Sequence, residues 1–249
     1  MDFLLDLDVP LRGRLRTTWT APVGVPRGWA WVQHGFGRRA SELTGLAQLL
    51  AHEGIAVVRP GIAWWRPRRS MHDRTWLTAA AVTVARAVEI GLPQARGVGA
   101  GAPPVWVLVG HSAGGAVAAH AAACFEARVP GSAAGLVLLD PVDTVGHLLA
   151  GDLPALEPDL RARASVHACR PSRCNRRGAT VADLRARGWA VTDHPGLSHA
   201  DPERIPGAPA GPSLAPDPWA ARVCGAPGSG AEVLALADQV RAQVVAAYP

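Results

Sequence analysis

The chain has 249 residues, 49% hydrophobic and 18% charged, a balance that excludes a disordered or purely solvating polypeptide. A chain of this length buries roughly three quarters of its unfolded surface and needs no disulfide staple to fold. Its formal charge is only +5, with 25 arginines and no lysine, so coding bias explains the excess better than a nucleic-acid interface does.

Met1 to Pro10 carries three acids and no basic n-region, so it does not read as a secretory signal, and the cytoplasm is the default expectation unless the start is truncated. Leu11 to Thr20 alternates as an early strand, and Trp29 to Gln33 is a short run of strand formers. Arg39 to His52 sets Leu43, Leu46, Leu49 and Leu50 at helical spacing, and Ile55 to Val58 is the next strand. Asp73 opens a helix to about Ile90, with Gly91 and Pro93 as its stop. A Gly-rich linker from Gly97 to Pro104 leads into the strand Val105 to Val109, a helix from Ala113 to Ala127, and the strand Gly135 to Leu139.

Beyond that point the rhythm loosens. Ser165 to Cys169 reads as a strand, Val181 to Arg187 as a helix, and Trp189 to Thr192 as the last strand. Pro202 to Gly230 reads as loop, and Glu232 to Ala247 as a closing amphipathic helix. Alternating strands and helices predict an α/β fold in one domain over residues 1–249, a mostly parallel sheet with helices on both faces. The most apolar stretch, Val105 to Phe125, is broken by His111, Ser112, His120 and several glycines, so no membrane span is expected. The four cysteines match no zinc spacing. Cys124 reads as a core thiol, and a bridge among Cys169, Cys174 and Cys224 stays open.

The central motif is Gly110-His111-Ser112-Ala113-Gly114. Five strand formers precede it and small helix-compatible residues follow it, the setting of a serine held on a sharp strand-to-helix turn. A serine hydroxyl needs a general base, and that base needs a third group to orient it. Two histidines lie downstream near the last strand. His199 is the preferred base because its loop begins after the strand ends, whereas His194 reads as a loop-structural residue.

The acid is less obvious. Arg170 to Arg177 follows the penultimate strand, where a carboxylate is usual, yet it reads RPSRCNRR and contains none. One strand earlier, Leu139 runs into Asp140-Pro141-Val142-Asp143, so Asp140 is preferred and Asp143 is the alternative. The same arginine-rich stretch holds the chain's one asparagine, Asn175. Its arginines read as a solvated face rather than an anion site. An oxyanion hole needs two backbone N–H groups, expected from Ala113 and from Phe36 in His34-Gly35-Phe36-Gly37. Trp64 and Trp65 follow a strand at the same rim and are candidates for lining an acyl or aromatic group.

These pieces resemble the α/β-hydrolase superfamily, and within it the chlorophyllase, platelet-activating-factor acetylhydrolase and polyester-hydrolase (cutinase-like) group. The resemblance runs from about Arg27 to the final helix and is sharpest at HGFG, GHSAGG, LDPVD and SHADPE. It implies hydrolysis of a small or polymeric carboxylic ester through an acyl-enzyme, with no metal or cofactor. Acyl transfer, thioester cleavage or cofactor-free haloperoxidation would keep the same fold, and a non-catalytic hydrolase-like binding protein is a rival of another class. About 22 residues separate Asp143 from the next strand, too few for a cap domain, so an open site is expected. Only about 26 residues precede the HGFG strand, so the first strand or two are expected to be missing or abbreviated.

Overall fold

The computed structural model describes residues 2–10, 12–62, 70–90, 105–143, 148–152, 158–209, 211–215 and 217–248. In chain order the strands are β1 (Asp2–Val9), β2 (Gly13–Thr20), β3 (Gly28–Gln33), β4 (Ile55–Pro60), β5 (Trp106–His111), β6 (Ala133–Leu139), β7 (Ala164–Cys169) and β8 (Val191–His194). The helices are α1 (Thr44–His52), α2 (Arg74–Glu89), α3 (Ala113–Arg128), α4 (Leu148–Asp152), α5 (Pro158–Ala162), α6 (Ala179–Ala186), α7 (Pro218–Cys224) and α8 (Gly230–Ala246).

The strands form one eight-stranded sheet in the order β1-β2-β4-β3-β5-β6-β7-β8. β1 and β2 pair antiparallel with each other, β2 pairs antiparallel with β4, and every pairing from β4 onward is parallel. The expectation of missing or shortened front strands is therefore corrected: β1 and β2 are each eight residues long and in full register. The signal was present. Phe3, Leu5, Leu7 and Val9 alternate with Asp2, Leu4, Asp6 and Asp8, the pattern of a strand with one covered face. Arg59 ties this edge down from inside, donating to Asp2 Oδ2 at 2.9 Å, Thr44 Oγ1 at 2.6 Å and the Ala40 carbonyl at 3.0 Å.

The central strands are buried on both faces, so alternate residues enter two cores. Trp29, Trp31, Val58, Trp106, Leu108, Leu136 and Leu138 face one side, against α2 and α3. Ala30, Val32, Val57, Val107, Val109, Val137 and Leu139 face the other, against α1 and α8. This is why these strands read as continuous apolar runs rather than alternating ones. Asp73 caps α2 by accepting from the Trp76 amide at 3.0 Å, and Ser229 caps α8 in a box with Glu232. Between β6 and β7 the described residues form two five-residue helices. α7 lies within the stretch expected to be loop, begun by Pro218 after the capping Asp217. Cys174 is bridged to Cys224, with a Cα–Cα distance of 5.2 Å. Cys124 is half-buried on α3 rather than a core thiol. Among the described residues no helix is long and apolar enough to cross a membrane.

Candidate active site

The loops at the carboxyl ends of β3, β5, β6 and β8 converge on Ser112. Ser112 has φ 57° and ψ −129°, a conformation that L-residues avoid and that a surrounding structure must enforce. The enforcement comes from glycines. A Cβ at Gly114 would fall on the carbonyl oxygens of Gln33 and His34, and one at Gly110 on the carbonyl of Gly114. Backbone therefore packs against backbone on both sides of the turn. The Ser112 amide donates to the Leu139 carbonyl at 3.0 Å, which joins the elbow to the end of β6.

His199 lies between the hydroxyl and the acid. Its Nε2 is 2.9 Å from Ser112 Oγ, and its Nδ1 is 2.5 Å from Asp140 Oδ2. The carboxylate can only accept, so Nδ1 carries the proton and Nε2 is left to accept from the hydroxyl. All three groups are buried, with Ser112 6% exposed, His199 7% and Asp140 0%. Asp140 turns off β6 at φ 44°, and its Oδ1 accepts from the Cys169 amide at 3.1 Å. Burial pushes the His199 imidazole below its ordinary range, against the Asp140 hydrogen bond, which raises it; nearby His111 lowers it further. The ring is thus neutral and able to take a proton near neutral pH.

The residues singled out in the sequence separate as follows. Ser112, His199 and Asp140 come together. Asp143 is bound through its backbone, its amide to Thr180 Oγ1 at 3.0 Å and its carbonyl to Arg176 at 2.9 Å. His194 ends β8 with its Nε2 3.0 Å from His167 Nδ1, a structural pairing braced by Gln243. Ala113 heads α3, where the first amides have no partner within the helix. Gly35 packs so closely on Ser112 that an added Cβ would lie 2.7 Å from the serine Cβ, which brings the Phe36 turn to Ser112. The Phe36 ring is half-exposed and lies 6.2 Å from the His72 ring. Trp64 and Trp65 lie outside the described residues. Arg170, Arg173, Arg176 and Arg177 are exposed, as a solvated face requires.

A second network, which the sequence reading missed, holds the loops together. Arg38, just past the HGFG turn, clasps Glu203 through two nitrogens, with Nε to Oε1 at 2.7 Å, and reaches Asp217 Oδ2 at 3.0 Å. His111 donates from Nε2 to the His199 carbonyl at 2.7 Å while its Nδ1 faces Glu203 Oε1 at 3.4 Å. Asp201 accepts from the amides of Ser198 at 2.6 Å and Gly228 at 2.7 Å, shaping the His199 loop. The carboxylates of SHADPE are therefore braces. Burial alone would raise Glu203, but Arg38 and His111 outweigh it and hold it down at about 2.

Arg38→Met would leave that carboxylate buried without its cation. We expect it to destabilise the fold by about 3–5 kcal/mol, lowering Tm by roughly 10 °C in calorimetry at neutral pH. The deficit should shrink as pH falls from the ordinary glutamate range toward 2, because protonating Glu203 removes the unpaired charge. An unchanged Tm at neutral pH would refute the brace.

A family model described as "Alpha/beta hydrolase family" matches residues 24–248. No curated protein matches the sequence. Among solved structures the chain is similar to dienelactone hydrolase from Anabaena variabilis ATCC 29413, at 16% identity over 100% of this chain and 98% of that one, TM-score 0.65. It is also similar to the esterase domain of a Rhodothermus marinus protein, at 12% identity over 99% of both chains, TM-score 0.60. A hyperthermophilic esterase from Pyrobaculum calidifontis shares 15% identity over 98% of this chain and 84% of that one, TM-score 0.56. At such identities the likeness is one of fold.

Proposed function

The chain belongs to the alpha/beta hydrolase family, and on that premise we propose that it is a serine hydrolase of carboxylic esters working through an acyl-enzyme. The observation that carries the reading is the hydrogen-bonded series Ser112 Oγ, His199 and Asp140. Ser112 attacks the ester carbonyl while His199 Nε2 takes its proton. His199 then returns that proton to the leaving alkoxide, and the alcohol departs. Water, giving a proton to the same nitrogen, attacks the acyl-serine, and collapse of the second tetrahedral intermediate frees the acid and restores Ser112. The amides of Ala113 and Phe36 are the donors proposed for the oxyanion, each worth about 3 kcal/mol in the transition state. The narrower likeness to chlorophyllases, platelet-activating-factor acetylhydrolases and polyester hydrolases belongs to this proposal, as does a rim role for Trp64 and Trp65. The Cys174–Cys224 bridge is of a kind that persists in oxidising compartments, which favours action outside the cytoplasm.

A fluorophosphonate should add once, at Ser112, as read by peptide mass; no adduct there under mildly alkaline conditions ends the reading. A panel of p-nitrophenyl esters of rising acyl length, together with an aromatic polyester, then identifies the substrate class. The pH profile supplies a further check. kcat/KM should rise with pH through one acid limb whose midpoint lies below the ordinary histidine value of about 6.5, because burial disfavours the imidazolium. A limb well above that value would contradict the role given to His199.

A further inference from the structure

The loop after β7, which offers arginines where a carboxylate is usual, supplies a neutral donor instead. Asn175, the one asparagine in the chain, is buried there at 1% exposure. Its carboxamide uses both ends. Oδ1 accepts from the amides of Ser172 at 2.8 Å and Gly178 at 3.2 Å, closing the loop on itself. Nδ2 donates to the Arg170 carbonyl at 3.0 Å and to Asp140 Oδ2 at 2.9 Å. The partners decide which end is nitrogen, since two N–H groups face one end and two acceptors the other. Asp140 Oδ2 is also the oxygen that receives His199 Nδ1.

Backbone strain follows the same pattern. Among the described residues four non-glycines have positive φ: Ser112 at 57°, Asp140 at 44°, Arg176 at 52° and Arg177 at 55°. The first two place the nucleophile and the acid. The other two follow directly on Asn175, in a conformation that an ordinary surface loop avoids. Cys174, on its other side, is bridged to α7. The loop is thus strained and anchored on either side of one carboxamide.

We infer that Asn175 is a positioning residue for Ser112, His199 and Asp140, holding the Asp140 carboxylate through the oxygen that receives His199. The inference rests on the ester-hydrolase reading above. A donor at this oxygen stops the carboxylate from turning away from the imidazole. It also draws negative charge from Oδ2, limiting how firmly Asp140 retains a proton on His199. The charged and titratable groups facing His199 are Asp140 at the end of β6, His111 at the end of β5, and Glu203 from its own loop. Asn175 adds a donor to that set without adding a charge. An aspartate in its place would set a carboxylate against both Asp140 and the Arg170 carbonyl.

Asn175→Ala removes both ends of the amide. Asn175→Asp keeps an acceptor for Ser172 and Gly178, and with it the loop, while replacing the donor by a carboxylate oxygen. Rates are taken per site titrated with fluorophosphonate, so a misfolded fraction does not count. We expect kcat to fall about tenfold in Asn175→Ala and further in Asn175→Asp, with KM within about twofold. The acid limb should move up by about half a pH unit or more in Asn175→Ala, and further in Asn175→Asp, because His199 then faces more uncompensated negative charge. A loss of kcat with an unmoved limb in both variants would reduce Asn175 to a loop brace and overturn the inference. Unchanged kcat and limb would overturn it as well. Both of those results leave Ser112 labelling intact. Failure of the unsubstituted protein to label at Ser112 overturns the ester-hydrolase reading and this inference together.

Discussion

Ser112→Ala is expected to lower kcat on a short p-nitrophenyl ester by roughly a millionfold, leaving only what binding and the oxyanion donors supply. The substitution deletes one oxygen and leaves the Cβ where it stands, so the glycine collar at Gly110 and Gly114 is undisturbed. Tm should therefore stay close to that of the unsubstituted protein, and circular dichroism should be unchanged. On the proposed mechanism Ser112 and His199 act as a unit, so Ser112→Ala/His199→Ala should be no slower than either single variant. Full activity in Ser112→Ala would end the assignment. Multiplying losses in the double variant would show that the two side chains do not act on one proton.

Exchanging Asp140 for asparagine should cost about 10⁴-fold in kcat, whereas Asp143→Asn should stay within a few-fold. The large effect follows from the donors around Asp140. Oδ1 takes the Cys169 amide, and Oδ2 takes both Asn175 Nδ2 and His199 Nδ1. An amide at 140 must turn its NH₂ toward one of these sets, so donors face each other in either orientation. If the NH₂ faces His199, the ring takes the other tautomer and Nε2 can no longer accept the Ser112 proton. Asp143 holds its loop through backbone bonds to Thr180 and Arg176, and His199 bonds to Asp140. Comparable losses in both variants would transfer the role to the loop as a whole.

The turn at Ser112 was readable along the chain because its geometry is local. A strand of apolar residues followed by Gly-x-Ser-x-Gly and a run of alanines leaves little choice about the turn, since only glycine admits the backbone crossings around it. Asp140 was reachable by elimination, because the later loop carries no carboxylate. β1 was legible too, in the alternation of Phe3, Leu5, Leu7 and Val9, but a test for a leader passes over it. α7 was hidden in a stretch rich in proline and glycine, where one capped turn has little periodicity to display.

The sequence alone determined most of the succession of strands and helices, β1, α4, α5 and α7 apart, and it singled out Ser112, His199 and Asp140 by the elbow motif and by their place after strand ends. Only the tertiary structure decided what holds them there. Arg38 meets Glu203 across 165 residues, Cys174 meets Cys224 across 50, and Asn175 meets Asp140 across 35. No periodicity encodes such pairings. Each exists because the sheet brings loops from distant strands to one edge and buries their polar groups, which must then find partners in one another.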